Sequence, residues 1–130
     1  MIVATRLRKG ATNSPRGAPR LITDALVTAR QAGATGMVTV RADSAYYNGD
    51  VVAAAVRGGA HFSITARLDA AVRKAIAAIP ENAWVAIKYP QAIYDEDEGR
   101  WISDAEVAEV PFTAFTSRRK AEHVTARLIV

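Results

Sequence analysis

Residues 37–47 read MVTVRADSAYY and begin with a short β-prone run, residues 37–40. Gly36 precedes this run, and a carboxylate and a hydroxyl, those of Asp43 and Ser44, come after it. In α/β proteins, ligands bind at the carboxyl ends of the strands, where a stiff strand can hold a carboxylate at the distance that a divalent cation requires. Mg²⁺ uses one or two carboxylates together with waters and substrate phosphate. Two interpretations follow: Asp43 is a first metal ligand, or Asp43 and Ser44 start a turn or cap the next helix.

Apolar residues at helical spacing predict three helices around this run. The first begins at Pro19 and ends at Gly33, the second begins at Asn48 or Asp50 and ends at Gly58-Gly59, and the third begins at Asp69 and ends at Pro80. Their apolar faces are Leu21, Ile22, Ala25, Leu26 and Ala29, then Val51, Val52, Ala55 and Val56, and then Val72, Ile76 and Ile79. Apolar–polar alternation predicts strands at residues 2–7 and 61–66, and residues 9–19 are rich in loop-forming residues.

The first 80 residues therefore alternate strand and helix, which is typical of an α/β layer fold. The pattern then changes, because residues 84–89, 101–102, 106–115 and 124–130 resemble strands with no amphipathic helix of ordinary length between them. Residues 95–99 form a predicted exposed turn between two of these strands. We therefore predict an α/β core over residues 1–80 and a β-rich insertion subdomain over residues 81–130.

Length and composition indicate one globular domain that is not membrane-spanning or disulfide-bonded. The chain has 130 residues, half of them hydrophobic, and no cysteine. No apolar run approaches the roughly 20 residues needed to span a bilayer, and no signal pattern opens the chain, so the cytoplasm is the default location. The net charge is +4, and the first 20 residues contain five Lys or Arg and no acid. A basic segment of this kind favours contact with a polyanion.

The hexapeptide Arg41-Ala42-Asp43-Ser44-Ala45-Tyr46 resembles the Arg-Ala-Asp-Ser-Gly-Phe motif of bacterial insertion-sequence transposases of the DDE type, in the family called DDE domain group 1. Leu7-Arg8-Lys9-Gly10 is similar to that family's Leu-Arg-x-Gly segment, and residues 62–67 are similar to the strand after its second catalytic helix. The resemblance covers nearly the whole chain, is dense around Asp43 and is thin beyond about Trp84. The chain departs from the family at Ala11, Ala45 and Tyr46, where Asn, Gly and Phe are usual.

The resemblance implies a partial ribonuclease-H-like mixed sheet with flanking helices, and it makes Asp43 the second of three metal-binding catalytic acids. The parent would cut DNA strands and join their 3′ ends to a target with two Mg²⁺ (or Mn²⁺) ions. The resemblance places the first Asp on a strand before residue 1 and the final Glu on a helix beyond residue 130. The strand-like runs at both ends of the chain separately indicate a fragment. This fragment, with one acid of three, is therefore expected to be inactive alone and to bind no metal ion stably. We predict DNA contacts from six basic residues: Arg8, Lys9, Arg41, Arg118, Arg119 and Lys120.

Other functions stay open at this point. A stand-alone α/β module that binds nucleic acid or protein, with a structural Asp43, is the main alternative, and a small metal-dependent nuclease would need a second carboxylate near Asp43. His61 and His123 have no neighbour at ligand spacing. The aromatic residues of the later strands could stack on bases but more often form a small β core; they are Trp84, Tyr89, Tyr94 and Trp101. An open sheet edge would favour homo-oligomers.

Overall fold

The computed structural model describes residues 2–7, 9–87, 93–101 and 105–130 and shows a mixed α/β protein. Its helices are α1 (Ala18–Gln31), α2 (Gly49–Arg57) and α3 (Ala70–Ala77), with short 3₁₀ helices at Ser44–Tyr46, Glu81–Ala83 and Lys120–Glu122. Its strands are β1 (Thr39–Ala42), β2 (His61–Ile64), β3 (Val85–Ile87), β4 (Tyr94–Asp95), β5 (Arg100–Trp101), β6 (Ala105–Val107), β7 (Glu109–Ala114) and β8 (Val124–Ile129).

The chain divides into two compact units. The first contains Met1–Arg67 and Ser117–His123, and the second contains Leu68–Thr116 and Val124–Val130. This division places α3 with the later strands, although the sequence pattern changes only near residue 81. The predicted subdomains, residues 1–80 and 81–130 of a larger enzyme, stay a prediction.

The first unit is built on a β1–α2–β2 segment in which the two strands run parallel. Thr39 pairs with His61 and Ala42 with Ile64, so the strands are in register over their full length. Parallel strands need a crossover connection, and α2 supplies it. The buried side of α2 includes Val51 and Val52, which are 0% and 2% exposed. Helix α1 packs against α2, so the core of this unit lies between these elements.

The predicted helices are confirmed, and side-chain caps set two of their starts. Asn48 Oδ1 accepts a hydrogen bond from the Asp50 N–H (2.8 Å), which makes Asn48 the N-cap of α2. Asp69 Oδ1 accepts from the Val72 N–H (2.9 Å) at the start of α3. Each carboxylate or amide oxygen satisfies one of the backbone donors that a helix start leaves unpaired.

Replacing Asn48 by alanine is expected to lower the free energy of unfolding by about 1 kcal/mol, because the N–H of Asp50 loses its acceptor. Urea denaturation followed by far-ultraviolet circular dichroism measures this change. The matched control is Asn48→Asp, which keeps an acceptor at the same place and is expected to stay close to the wild type. Equal losses in both variants would show that the cap does not stabilise α2.

Within the described residues, the second unit contains α3 and three antiparallel strand pairs. The pair β7–β8 is the longest, with Glu109 opposite Ile129 and Ala114 opposite Val124. Strands β4 and β5 are joined by the predicted turn, where Asp95 Oδ1 accepts hydrogen bonds from two N–H groups, those of Asp97 and Glu98. The predicted strand at residues 106–115 consists of β6 and β7. Parts of two other predicted strands, residues 88–89 and 102, lie outside the described residues.

The prediction of a strand at residues 2–7 is wrong. This segment has no regular secondary structure, and Ile2 and Leu7 are 82% and 102% exposed. Alternation of apolar and polar residues stabilises a strand only when a neighbouring strand pairs its backbone groups and covers one face. In the described part of the chain the partner of β1 is β2, and residues 2–7 join neither.

Candidate functional site

Asp43 follows β1 directly and has the extended backbone of the strand (φ −80°, ψ 180°). Its side chain is exposed, and Oδ1 accepts a hydrogen bond from the Ala45 N–H (2.9 Å) at the start of the 3₁₀ helix. The other carboxylate oxygen makes no hydrogen bond to a described residue. Both sequence interpretations are therefore compatible with this geometry, since one oxygen caps and the other is open to solvent.

The end of β2 lies beside the end of β1. The Thr65 N–H donates to the Ala42 carbonyl (3.1 Å), which extends the parallel pairing one residue beyond the strands. Residues that follow Ile64 therefore reach the same sheet edge as Asp43. This is the edge at which α/β proteins bind their ligands.

Arg67 is the functional candidate that the sequence reasoning missed. Its Nε donates to the carbonyl oxygen of Ser44 (3.3 Å), which places an exposed guanidinium beside the Asp43 segment. Arg67 lies three residues beyond the end of β2. The only signal in the sequence was this position, because two parallel strands that end together bring their following residues to one edge.

One face of the β1–β2 pair is polar and open. Burial alternates along both strands, with Thr39 and Arg41 exposed on β1 and His61 and Ser63 exposed on β2. Parallel sheets are ordinarily covered on both faces by apolar layers. An exposed polar face that carries Arg41 and leads to Asp43 is instead suited to a polar, anionic ligand.

A complete metal site is absent from the described ranges, where no group of three His, Cys, Asp or Glu side chains could hold an ion. Asp69 caps α3, as predicted. Asp50 is not a cap: it lies in the first turn of α2 and binds the Arg118 guanidinium (2.7 Å). That hydrogen bond holds the pKa of the Asp50 carboxyl below its ordinary value. Neither carboxylate joins Asp43.

The basic residues predicted to contact DNA differ in whether a carboxylate already pairs with them. Arg118 pairs with Asp50, and Arg119 pairs with Glu122 (3.3 Å), which lowers the pKa of that glutamate. Lys120 is exposed and makes no ion pair within the residues that the structure describes. Phosphate contact by Arg118 or Arg119 would therefore compete with an existing ion pair.

The remaining predicted residues contribute little to this edge. Lys9 is exposed, and Arg8 lies outside the described residues. His123 Nε2 lies 3.0 Å from the Arg118 carbonyl oxygen, so this ring contacts the backbone of residues 117–120, the basic loop. Trp84 is half-buried and Tyr94 is 49% exposed, while Tyr89 and the side chain of Trp101 lie outside the description.

No protein-family model, curated protein or solved structure matches the chain. Among the helices of the described ranges, none has the length and apolar character needed to cross a lipid bilayer.

Proposed function

We propose that this chain is part of the catalytic domain of a DDE transposase and is inactive alone. Its β1–α2–β2 segment would belong to a ribonuclease-H-like sheet, and Asp43 would be the second of three metal-binding acids. The observation that carries the proposal is the position of Asp43, exposed at the carboxyl edge of a parallel β–α–β unit with one carboxylate oxygen open.

The local chemistry of Asp43 fits one ligand of a divalent ion. The Ala45 N–H fixes the orientation of the carboxylate through Oδ1, so the second oxygen is presented without competing for a backbone donor. Mg²⁺ takes oxygen ligands and ordinarily uses few protein carboxylates. Bound divalent ions would activate the attacking water or hydroxyl and stabilise the leaving oxygen. Since Asp43 is the one carboxylate that the described residues bring to this edge, the other two acids would come from the rest of the parent.

The charge distribution supports DNA as the partner. The chain carries a net charge of +4, and Arg41 lies on the open face that leads to Asp43. The strands of the β1–β2 pair each have one unpaired edge within the described residues, and such edges favour pairing with another chain. A homo-oligomer is therefore part of the proposal.

With two of the three acids outside this chain, Mn²⁺ is expected to bind at Asp43 only weakly, and paramagnetic relaxation of the surrounding amide protons detects such weak binding. In a ¹H–¹⁵N NMR titration, the signals of Ser44, Ala45 and Thr65 are expected to broaden in the wild type. Asp43→Asn is expected to abolish this broadening because the side chain loses its charge. The same variant keeps an oxygen acceptor for the Ala45 N–H, so loss of the effect would not reflect loss of the cap.

Two controls show whether Mn²⁺ binds specifically at Asp43. Asp24→Asn removes an exposed acid from α1 that lies 3.9 Å from Arg20, and it is expected to leave the broadening at Asp43 unchanged. The acidic turn that begins at Asp95 serves as the reference for weak, unspecific binding of Mn²⁺ to exposed carboxylates. Broadening at that turn with none at Ser44 and Ala45 would contradict the proposal and leave the binding module, with a structural Asp43, as the better account.

A further inference from the structure

We propose that Arg67 binds a DNA phosphate at the same edge, next to the metal ligand Asp43, so that the two residues form one composite site for a phosphodiester and a divalent ion. This inference rests on the proposed function. Neither Arg67 nor a phosphate site at this edge follows from the hexapeptide around Asp43.

One hydrogen bond holds Arg67 beside the Asp43 segment, while most of its donors stay available. The guanidinium donates through Nε to the Ser44 carbonyl oxygen (3.3 Å), and Ser44 is the neighbour of Asp43 in the chain. A guanidinium has five N–H donors. The two terminal amino groups of Arg67 make no hydrogen bond to a described residue, so their four donors face solvent.

Arg67 and Asp43 carry opposite charges but do not form an ion pair. Arg67 is anchored on a backbone carbonyl, and Asp43 on a backbone N–H (2.9 Å). Arg118 and Arg119 differ, because each is already held by a carboxylate. Backbone anchors therefore keep both charges of this edge available to a ligand.

The ligand that satisfies both charges is a phosphate accompanied by a divalent cation. Arginine binds phosphate oxygens through two parallel N–H donors, which a point charge such as lysine cannot do. Mg²⁺ joins a protein carboxylate to substrate phosphate. A bare polyanion would be repelled by Asp43, so Asp43 and Arg67 together select the metal-bound phosphodiester over either component alone.

The experiment measures binding of a fluorescently labelled DNA duplex by anisotropy, with and without Mg²⁺ at constant ionic strength. Arg67→Ala is expected to weaken binding about tenfold in Mg²⁺, because a charge-assisted hydrogen-bonding group is lost. It should also reduce the slope of log affinity against log salt by about 1. Arg67→Lys is expected to keep the slope but to recover only part of the affinity.

The matched control is Arg57→Ala, which removes an exposed arginine from the last turn of α2. If Arg67→Ala binds DNA as Arg57→Ala does, while Mg²⁺ still strengthens wild-type binding and Asp43→Asn removes that gain, the inference about Arg67 is overturned and the proposed function stands. If Mg²⁺ gives the wild type no gain but Arg67→Ala still lowers affinity and slope, the phosphate contact stands and the proposed function fails. NMR signals of Ser44 and Thr65 in each variant verify that the edge stays folded.

Discussion

Replacing Leu26 by alanine is expected to lower the free energy of unfolding by about 2 to 5 kcal/mol. Leu26 is the most buried large side chain of α1, with 6% of its surface exposed, and it meets the end of α2 at Gly58. Truncation removes apolar contacts and leaves a cavity that two packed helices can close only in part. Urea denaturation followed by far-ultraviolet circular dichroism measures the loss, since both helices contribute to that signal.

Val27 provides the control on the same helix. It is 50% exposed, so Val27→Ala is expected to change the free energy of unfolding by less than about 0.5 kcal/mol. Comparable losses in the two variants would show that the packing of α1 on α2 does not depend on Leu26.

The helices could be predicted because their signals are local. The apolar face of α1 includes Leu26, and α2 is preceded by its N-cap Asn48 and followed by Gly58. A cap and a helical apolar stripe depend on residues within a few turns, so the sequence contains the whole determinant. The same holds for the turn that begins at Asp95, where a side chain accepts from nearby backbone donors.

The strands were less predictable because their determinant is a partner elsewhere in the chain. Apolar and polar residues alternate in residues 2–7 just as they do in residues 61–66. Of these two segments, 61–66 contains a strand, which pairs with β1. Nothing within residues 2–7 encodes whether a neighbouring strand is present. The ribonuclease-H-like arrangement likewise depends on how distant strands pair. The parallel pair β1–β2 is compatible with it, and the wider sheet stays a prediction.

The candidate site shows the same contrast between local and distant determinants. Asp43 was recognisable because it follows a β-prone run directly, whereas Arg67 is 24 residues away in sequence and reaches the edge only because β1 and β2 end together. The basic loop presents the opposite case. Its charges are evident in the sequence, but the ion pair of Arg118 with Asp50 joins residues that no sequence pattern relates.

Capping and metal binding at Asp43 are complementary rather than exclusive. A carboxylate has two oxygens, and the Ala45 N–H occupies one. The hydrogen bond restricts rotation of the side chain and so reduces the entropy that ligand binding would remove. The Arg67 guanidinium is likewise anchored through one donor. A pair of opposite charges, each held by one backbone hydrogen bond at a strand end, is what the proposed site would add to an ordinary solvated turn.

Gly58→Ala is expected to lower the free energy of unfolding by about 1 to 3 kcal/mol. The backbone of Gly58 (φ −79°, ψ 6°) is one that alanine adopts readily, so the smaller entropy of the unfolded chain alone would favour the variant by about 0.4 to 1 kcal/mol. Packing is expected to reverse the sign, because the new Cβ would overlap Cδ1 of Leu26, whose side chain is buried and would have to shift. Thermal or urea denaturation measures the net effect.

The double variant Leu26→Ala/Gly58→Ala isolates this contact. Once the leucine is truncated, the alanine methyl group at position 58 no longer overlaps it and fills part of the cavity. The two losses should therefore not add, and the double variant is expected to be more stable than their sum predicts by about 1 kcal/mol or more. Gly36→Ala is the control, since no atom lies within 4 Å of its added Cβ. Additive losses at 26 and 58, or an equal loss at 36, would mean that backbone conformation rather than helix packing requires the glycine.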